Sequence, residues 1–379
     1  MNVAKKLTGL LKRETSTGKY IPLIDGIRFL AIMLVLMQHL NERIIKYNSD
    51  LSLNSGFEEQ FSFLLSRGSV GVFIFFTLSG FIISLPFFKN SRQENFNYRK
   101  YIVRRITRLE PTYILWMSFF MIVFSIKSGW GQGIFGHFFS SIFYIHNIVY
   151  TDLSIINPVS WSLEVEIQYY LIAPFLVFGY LYVRGIKRRR FLILILIGIF
   201  ICVQNICAWQ LIPFKLSLLG HLQHFLTGIF IADLYSRGNF FERKSYFWDI
   251  VFIPSLLLIQ YTWSEELIRS LIMETALIFL FISVFKGKWF RLLFSNKITT
   301  IIGGMCYTIY LIHLPLFEGF YTFIFSIHKS ENYFLNLILS GIPVLLILLL
   351  ISIPAYYYLE KPFMKNQWWM SRTIQKSQL

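Results

Sequence analysis

The segment IRFLAIMLVLMQHL, residues 27–40, is apolar and long enough to enter a membrane, and it carries Arg28 and His39 on one helical face. Eleven steps of about 100° return to within about 20° of the starting direction, after a rise of about 16 Å. Ionisable side chains are unfavourable in lipid, so this pair should point into a helix bundle or a water-filled cavity. The spacing therefore indicates a site that reaches across the bilayer. The alternative is that Arg28 extends to the cytoplasmic headgroups while His39 lies in the opposite interface.

The composition is that of a polytopic membrane protein. Hydrophobic residues make up 55% of the 379 residues and charged residues 15%, whereas soluble domains are about 45–50% apolar. The formal charge is +16, but Lys and Arg fall in short blocks between apolar segments, as the positive-inside rule predicts, so nucleic-acid binding is not indicated. The three cysteines all lie in apolar segments, and no disulfide framework is predicted.

Ten apolar segments approach or exceed the length that crosses about 30 Å of hydrocarbon. All basic blocks fall on the cytoplasmic side only if the apolar segment 134–150 does not cross, so we interpret it as an outer-surface or re-entrant helix. We expect an all-α bundle of about ten transmembrane helices in the cytoplasmic membrane, with both termini cytoplasmic and eleven spans as the alternative. The ten segments are 24–40, 68–88, 112–126, 161–183, 191–208, 214–235, 247–262, 268–285, 298–320 and 334–359.

The chain reads as one domain. It has no internal repeat of fixed period, and its longest apolar-poor stretches are about 20 residues, whereas folded domains usually exceed about 50. We therefore expect residues 1–379 to form a single membrane domain with its core at 20–363, surrounded by membrane lipids and without an appended soluble domain.

Polar side chains from three spans should meet near the outer surface in this topology. The first and ninth spans run outward and the span from Trp161 runs inward, which brings histidines, carboxylates and tyrosines into one leaflet. Such a cluster can move protons, because imidazole accepts a proton near neutral pH and a carboxylate can orient it. The predicted outer residues are His39, Glu164, Glu166, Tyr307, Tyr310 and His313.

Arginines gather at the cytoplasmic entrance instead. Their guanidinium groups present bidentate donors that suit phosphates, although such a block is also a topology signal. The predicted phosphate-binding residues are Arg28, Arg104, Arg105 and Arg108.

Several other signals have a purely structural alternative. Trp161 can be an interfacial tryptophan, and Glu164 an acid that is favourable at a helix N-terminus. Ser79 is either a small packing residue or a substrate contact. His221 and His224 have no carboxylate or cysteine nearby in sequence to complete a metal site, so no metal is expected.

Six motifs in the right order resemble those of the membrane-bound acyltransferase family 3. Each motif alone is weak, but together they extend from residue 22 to residue 363 and make a specific signal. In chain order they are DGIR with His39 (25–39), GV with FFTLSGF (71–81), RRITRLEP (104–111), WSLEVE with YY (161–170), YTIYLIHLP (307–315) and EKP (360–362).

The resemblance implies transfer of an acyl group, commonly acetyl, from cytoplasmic acyl-coenzyme A (acyl-CoA) to a hydroxyl of an extracytoplasmic or lipid-linked glycan or similar acceptor. Arg28 and His39 match the family's paired motif, and 104–108 matches its basic loop. Glu166 matches the acid of the family motif, whereas Glu164 stands where other members often differ. Extended members carry a soluble esterase-like domain after the last span, and without it a separate extracytoplasmic transferase stays an open possibility.

We therefore expect coenzyme A to bind from the cytoplasm with its phosphates on Arg28 and the basic loop. His39 would act as general base on the acceptor hydroxyl, with Glu166 orienting its imidazole. Tyr307 or His313 would donate to the developing oxyanion, and a transient acyl-histidine is an alternative chemistry. The rival function is a glycan or lipid transporter that uses the same polar residues, although no inverted repeat is visible in the sequence.

Overall fold

The computed structural model describes residues 9, 11–13, 20–48, 51, 56–89, 96–131, 133–236, 239–327 and 330–364. These residues are helical or in turns and contain no strand, which confirms the all-α prediction. The helices are α1 (Pro22–Tyr47), α2 (Gly56–Ser66), α3 (Val70–Lys89), α4 (Tyr98–Ser128), α5 (Ile134–Ile142), α6 (His146–Tyr150), α7 (Trp161–Tyr182), α8 (Ile186–Ile206), α9 (Leu222–Ser236), α10 (Phe247–Tyr261), α11 (Leu267–Lys286), α12 (Trp289–Phe294), α13 (Lys297–Gly304), α14 (Cys306–Ile327), α15 (Tyr333–Asn336) and α16 (Ile342–Ala355).

Seven helical segments of the described chain are long and apolar enough to cross a membrane, or eight if α13 and α14, which meet at 69°, form one bent span. The expectation of about ten spans is not confirmed. The expected spans at 214–235 and 247–262 correspond to α9 and α10, which have only 15 residues each. A helix of that length covers about 22 Å, less than the hydrocarbon thickness. Residues 1–8 and 365–379 lie outside the described residues, so the orientation of the termini stays a prediction.

The segment 134–150 forms two short helices rather than a span. α5 has nine residues and α6 has five, and Tyr144 between them has a left-handed backbone with a φ of 58°. Neither helix is long enough to cross the hydrocarbon, which agrees with our interpretation of this segment as non-crossing.

Helix α1 lies at the centre of the bundle, packed against α3, α13 and α14. Glycines allow close contacts between its backbone and the neighbouring helices, as two of them show. A Cβ at Gly71 would collide with the carbonyl oxygen of Ala31, and a Cβ at Gly303 with that of Asp25. Backbone-to-backbone packing of this kind is how small residues bring membrane helices together. It holds the polar residues of α1 at a fixed distance from the neighbouring helices.

Candidate active site

A cavity of about 130 Å³ lies between α1, α3, α4, α7 and α14. Part of its wall is apolar, formed by Phe75, Leu78 and Leu163 among others. The rest is polar and includes many of the residues predicted from sequence. The polar and sulfur-containing lining residues are Arg13, Arg28, Ser79, Arg105, Arg108, Glu166, Tyr170, Cys306, Tyr307 and Tyr310.

Two arginines of the cavity share one buried carboxylate. Arg28 Nη1 donates to Asp25 Oδ1 at 2.5 Å, and Arg13 Nη1 lies 3.4 Å from the same oxygen. Asp25 is 1% exposed. Burial lowers the pKa of Arg13 more than any single neighbour raises it. The carboxylates of Asp25 and Glu360 act together with other nearby groups, and the net effect is a raised pKa, so this guanidinium stays charged. Arg13 was not predicted, because it precedes the apolar segment and resembles an ordinary topology signal.

The basic loop divides into residues that line the cavity and one that does not. Arg105 lines the cavity and stacks on the rings of Tyr101 and Tyr170, at 5.7 and 5.8 Å from the ring centres. Arg108 also lines the cavity, whereas Arg104 is absent from its wall. The cavity thus has four guanidinium groups near three carboxylates, those of Asp25, Glu166 and Glu360, and the excess of positive charge leaves it suited to an anion.

Glu166 faces the cavity and is held there by two hydroxyl groups. Its Oε1 accepts from Ser79 Oγ at 2.5 Å and from the Tyr170 hydroxyl at 2.6 Å. Ser79 is on α3, while Tyr170 lies one turn after Glu166 on α7. Ser79 is therefore more than a packing residue, because its hydroxyl fixes a carboxylate of the cavity.

Glu164 is fully buried, but it is absent from the cavity wall. Its Oε2 accepts from the backbone N–H of Asn147 at 2.8 Å, and the Asn147 amide donates to the carbonyl oxygens of Trp161 and Leu216. These bonds join α6 to the start of α7. The contacts of Glu164 are thus those of a residue that anchors the non-crossing segment.

His39 lies outside the cavity wall and contacts a different carboxylate from the one we predicted. Its Nδ1 is 2.8 Å from Glu42 Oε2 on α1, and its ring centre is 5.2 Å from that of His313 on α14. Glu166, which we expected to orient His39, instead forms the two hydroxyl contacts described above. A histidine followed three residues later by a glutamate was visible in the sequence, but Glu42 follows the apolar segment and resembles an interfacial acid.

His313 has one ring nitrogen engaged and one open. Its Nδ1 bonds the carbonyl oxygen of Tyr310 at 2.7 Å, so Nδ1 carries the proton and Nε2 carries a lone pair. Among the described residues, Nε2 is buried without a hydrogen-bond partner. In this neutral form Nε2 can accept a proton but cannot donate one. The expected donation by His313 to an oxyanion would therefore require a protonated ring.

The two tyrosines of the 307–315 motif use their hydroxyl groups on backbone carbonyls. Tyr307 donates to the carbonyl oxygen of Leu109 at 3.0 Å, and Tyr310 to that of Val159 at 3.1 Å. Both line the cavity, and Tyr310 also reaches His313, with 5.6 Å between the ring centres. Donation from Tyr307 to an oxyanion stays a prediction that would require exchange of its bond to Leu109.

The remaining predicted residue, Trp161, packs beside a separate buried histidine cluster. Its ring centre is 5.2 Å from that of His221. His224 forms an ion pair with Glu274 on α11, to which Thr227 also donates at 2.7 Å. Sequence reasoning missed this carboxylate because it is 50 residues away from His224 along the chain. Within the described ranges, no group of three or more His, Cys, Asp or Glu side chains could hold a metal ion.

Comparisons with known proteins agree with this architecture. Residues 21–361 match the model of the acyltransferase domain of family 3. The chain therefore belongs to the acyltransferase 3 family, and its apolar helices make it a multi-pass membrane member. No solved structure matches it.

Three relatives come from bacteria. Peptidoglycan O-acetyltransferase OatA of Listeria monocytogenes is 30% identical over 203 residues, covering 50% of this chain and 29% of the relative. A Bacillus subtilis protein provisionally named peptidoglycan O-acetyltransferase YrhL is 33% identical, over 44% of this chain and 25% of the relative. A provisionally named O-acetyltransferase of Staphylococcus aureus strain COL is 24% identical, over 92% of this chain and 58% of the relative. The chain thus spans less than two thirds of each.

Proposed function

We propose that the protein transfers an acyl group, commonly acetyl, from cytoplasmic acyl-CoA to a hydroxyl of an extracytoplasmic or lipid-linked glycan. The observation that carries this proposal is the sequence of groups along the bundle interior. Arginines and Tyr310 line the same cavity, the ring of Tyr310 contacts that of His313, and the ring of His313 contacts that of His39. This order would place an anionic donor and a base at opposite ends of one path.

The donor would bind through its phosphates. Arg28, Arg105 and Arg108 offer the forked donors that suit phosphate oxygens, and Arg13 adds a fourth cation. A cavity of about 130 Å³ has room for a narrow thioester arm rather than a bulky group. A short acyl chain therefore fits this space best.

His39 would act as general base. With Nδ1 directed at a carboxylate, its Nε2 is the nitrogen that can take the proton of an acceptor hydroxyl. The oxygen then attacks the thioester carbon, a C–O bond forms and the C–S bond breaks. The departing thiolate takes up the proton that Nε2 of His39 had accepted, and coenzyme A leaves as the free thiol toward the arginines. His39 is 19% exposed at its side chain, so an acceptor can approach it.

The acceptor class follows from the relatives rather than from the cavity. Two of them are named for peptidoglycan, and we infer that a cell-wall or related envelope glycan is the acceptor, modified at the cytoplasmic membrane. A separate extracytoplasmic transferase would be a partner if this chain passes the acyl group on instead of completing the transfer itself.

The test is acyl transfer by membrane vesicles that contain the full chain. Wild-type vesicles supplied with labelled acetyl-CoA should acylate glycan, and free coenzyme A should compete. His39→Ala should lower the rate at least about 10²-fold, because it removes the base, while His137→Ala in α5 serves as a matched histidine control and should retain activity. A His39→Ala variant with wild-type rate would refute the mechanism. Glycan movement without coenzyme A binding would favour a transporter.

A further inference from the structure

We infer that Glu42 is the positioning residue of His39, the carboxylate that orients its imidazole and stabilises the imidazolium. This inference rests on the proposed function, since it assigns a helper to the proposed base. Its starting point is the contact of 2.8 Å between Glu42 Oε2 and His39 Nδ1. Residues three apart on a helix lie on neighbouring parts of one face, so this pair does not depend on any other helix.

The contact determines which nitrogen can work as the base. A carboxylate accepts but cannot donate when ionised, so Nδ1 of His39 must carry the proton. Nε2 then carries the lone pair that takes a proton from an acceptor hydroxyl. When Nε2 is protonated, the positive ring is directly opposite the negative charge of Glu42. That charge lowers the energy of the imidazolium formed during acyl transfer.

Both carboxylate oxygens of Glu42 have partners of their own. Gln38 Nε2 donates to Oε1 at 2.8 Å, and Arg43 Nη1 lies 3.4 Å from Oε2. Arg43 is tied in turn to Glu318 Oε2 of α14 at 2.7 Å. The contact with Gln38 is made within α1, so it restrains Glu42 without any help from α14. A supporting residue needs such restraint, since a mobile carboxylate would not hold one tautomer.

The other carboxylate considered for this role is engaged elsewhere. Glu166 Oε1 accepts from two hydroxyl groups at 2.5 and 2.6 Å inside the cavity. Glu166 therefore belongs to the donor end of the path and Glu42 to the base. The side chain of Glu42 is 38% exposed, so water as well as His39 reaches it.

Steady-state acyl transfer from acetyl-CoA, measured in vesicles with the full chain, tests the inference. Glu42→Ala should lower kcat about 10²-fold because it removes both the orientation and the counter-charge. The KM for acetyl-CoA should stay unchanged, because the donor binds among the arginines. Glu42→Asp should recover part of the loss, whereas Glu42→Gln, which keeps the size but not the charge, should remain impaired about tenfold or more.

Glu318→Gln is the matched control. Glu318 binds Arg43, Lys46 and Tyr47, and within the described chain it contacts neither His39 nor Glu42. This variant should keep kcat near the wild-type value. An equal loss of kcat in Glu318→Gln and Glu42→Gln would overturn the inference, since it would show that only the ion pairs of Arg43 matter. If Glu42→Ala does not insert, the isosteric Gln variant decides the outcome.

The experiment separates failure of this inference from failure of the proposed function. Wild-type kcat in Glu42→Gln and Glu42→Ala, combined with an inactive His39→Ala, would overturn the role of Glu42 and leave the base assignment intact. An active His39→Ala would refute the base assignment itself. A double variant of His39 and Glu42 should be no slower than His39→Ala alone, because Glu42 acts through the imidazole.

Discussion

At the scale of single residues, what a polar side chain of the candidate site can do depends on the groups it contacts more than on its residue type. Asp25 is shared by Arg13 and Arg28, so neither arginine is free of a counter-charge. Arg105 differs, because its described contacts are the faces of two aromatic rings. Its removal would leave no buried carboxylate unpaired, which makes it the cleanest probe of anion binding at this site.

Arg105→Ala should weaken donor binding without disturbing the fold. We expect the KM for acetyl-CoA to rise about tenfold, equivalent to about 1.4 kcal/mol, because one charge-assisted contact to a phosphate is lost. Arg104→Ala is the adjacent control and should leave KM unchanged, since Arg104 is absent from the cavity wall. Initial rates measured at several acetyl-CoA concentrations give the KM of both variants. Equal KM values in the two variants would contradict the assignment of the cavity to the donor.

At the scale of elements, the site depends on how closely α1 approaches its neighbours. α13 packs on α1 where Gly303 meets the carbonyl of Asp25, the residue that holds Arg28. α13 then bends by 69° into α14, which carries Tyr307, Tyr310 and His313. One close contact therefore sets the position of residues on both sides of the cavity.

Gly303→Ala should destabilise the protein and lower its activity. Its added methyl group would overlap the carbonyl oxygen of Asp25, and overpacking of this kind usually lowers the free energy of unfolding by about 1–3 kcal/mol. Gly198→Ala on α8 is the control, because a Cβ there has no atom within 4 Å. The thermal midpoint in detergent should fall for the first variant only. Unchanged stability of Gly303→Ala would show that α1 and α13 can separate without loss.

At the scale of the whole molecule, the described helices form a bundle with seven or eight candidate spans around α1. The basic residues at the end of α7 and the non-crossing segment after α4 predict opposite sides of the membrane for residues 184 and 131. This is the topology on which the path from donor to acceptor depends.

Cysteine labelling tests that topology. In a background with Cys202, Cys207 and Cys306 replaced by alanine, Arg184→Cys should react with a membrane-impermeant maleimide only in inside-out vesicles. Gly131→Cys should react only in right-side-out vesicles, because the apolar part of α4 that follows Arg108 separates it from the basic residues at the start of that helix. Reaction of both cysteines in the same vesicle orientation would refute the predicted arrangement, and acyl transfer across the membrane would then lose its structural basis.

Sequence by itself determined the class of the protein and identified most of the polar residues that line the cavity. Apolar length, basic blocks and the one-face spacing of Arg28 and His39 are properties of continuous segments, so they predicted membrane helices and a polar interior. Only the tertiary structure decided the pairings between elements: Arg13 at Asp25, Ser79 of α3 at Glu166, and Glu274 at His224. It did not confirm the ten expected spans, because α9 and α10 are short. The physical reason is that helical periodicity determines which residues share a face of one helix. Contacts between helices depend on the rotation and depth of each helix, which are set by packing of the whole bundle.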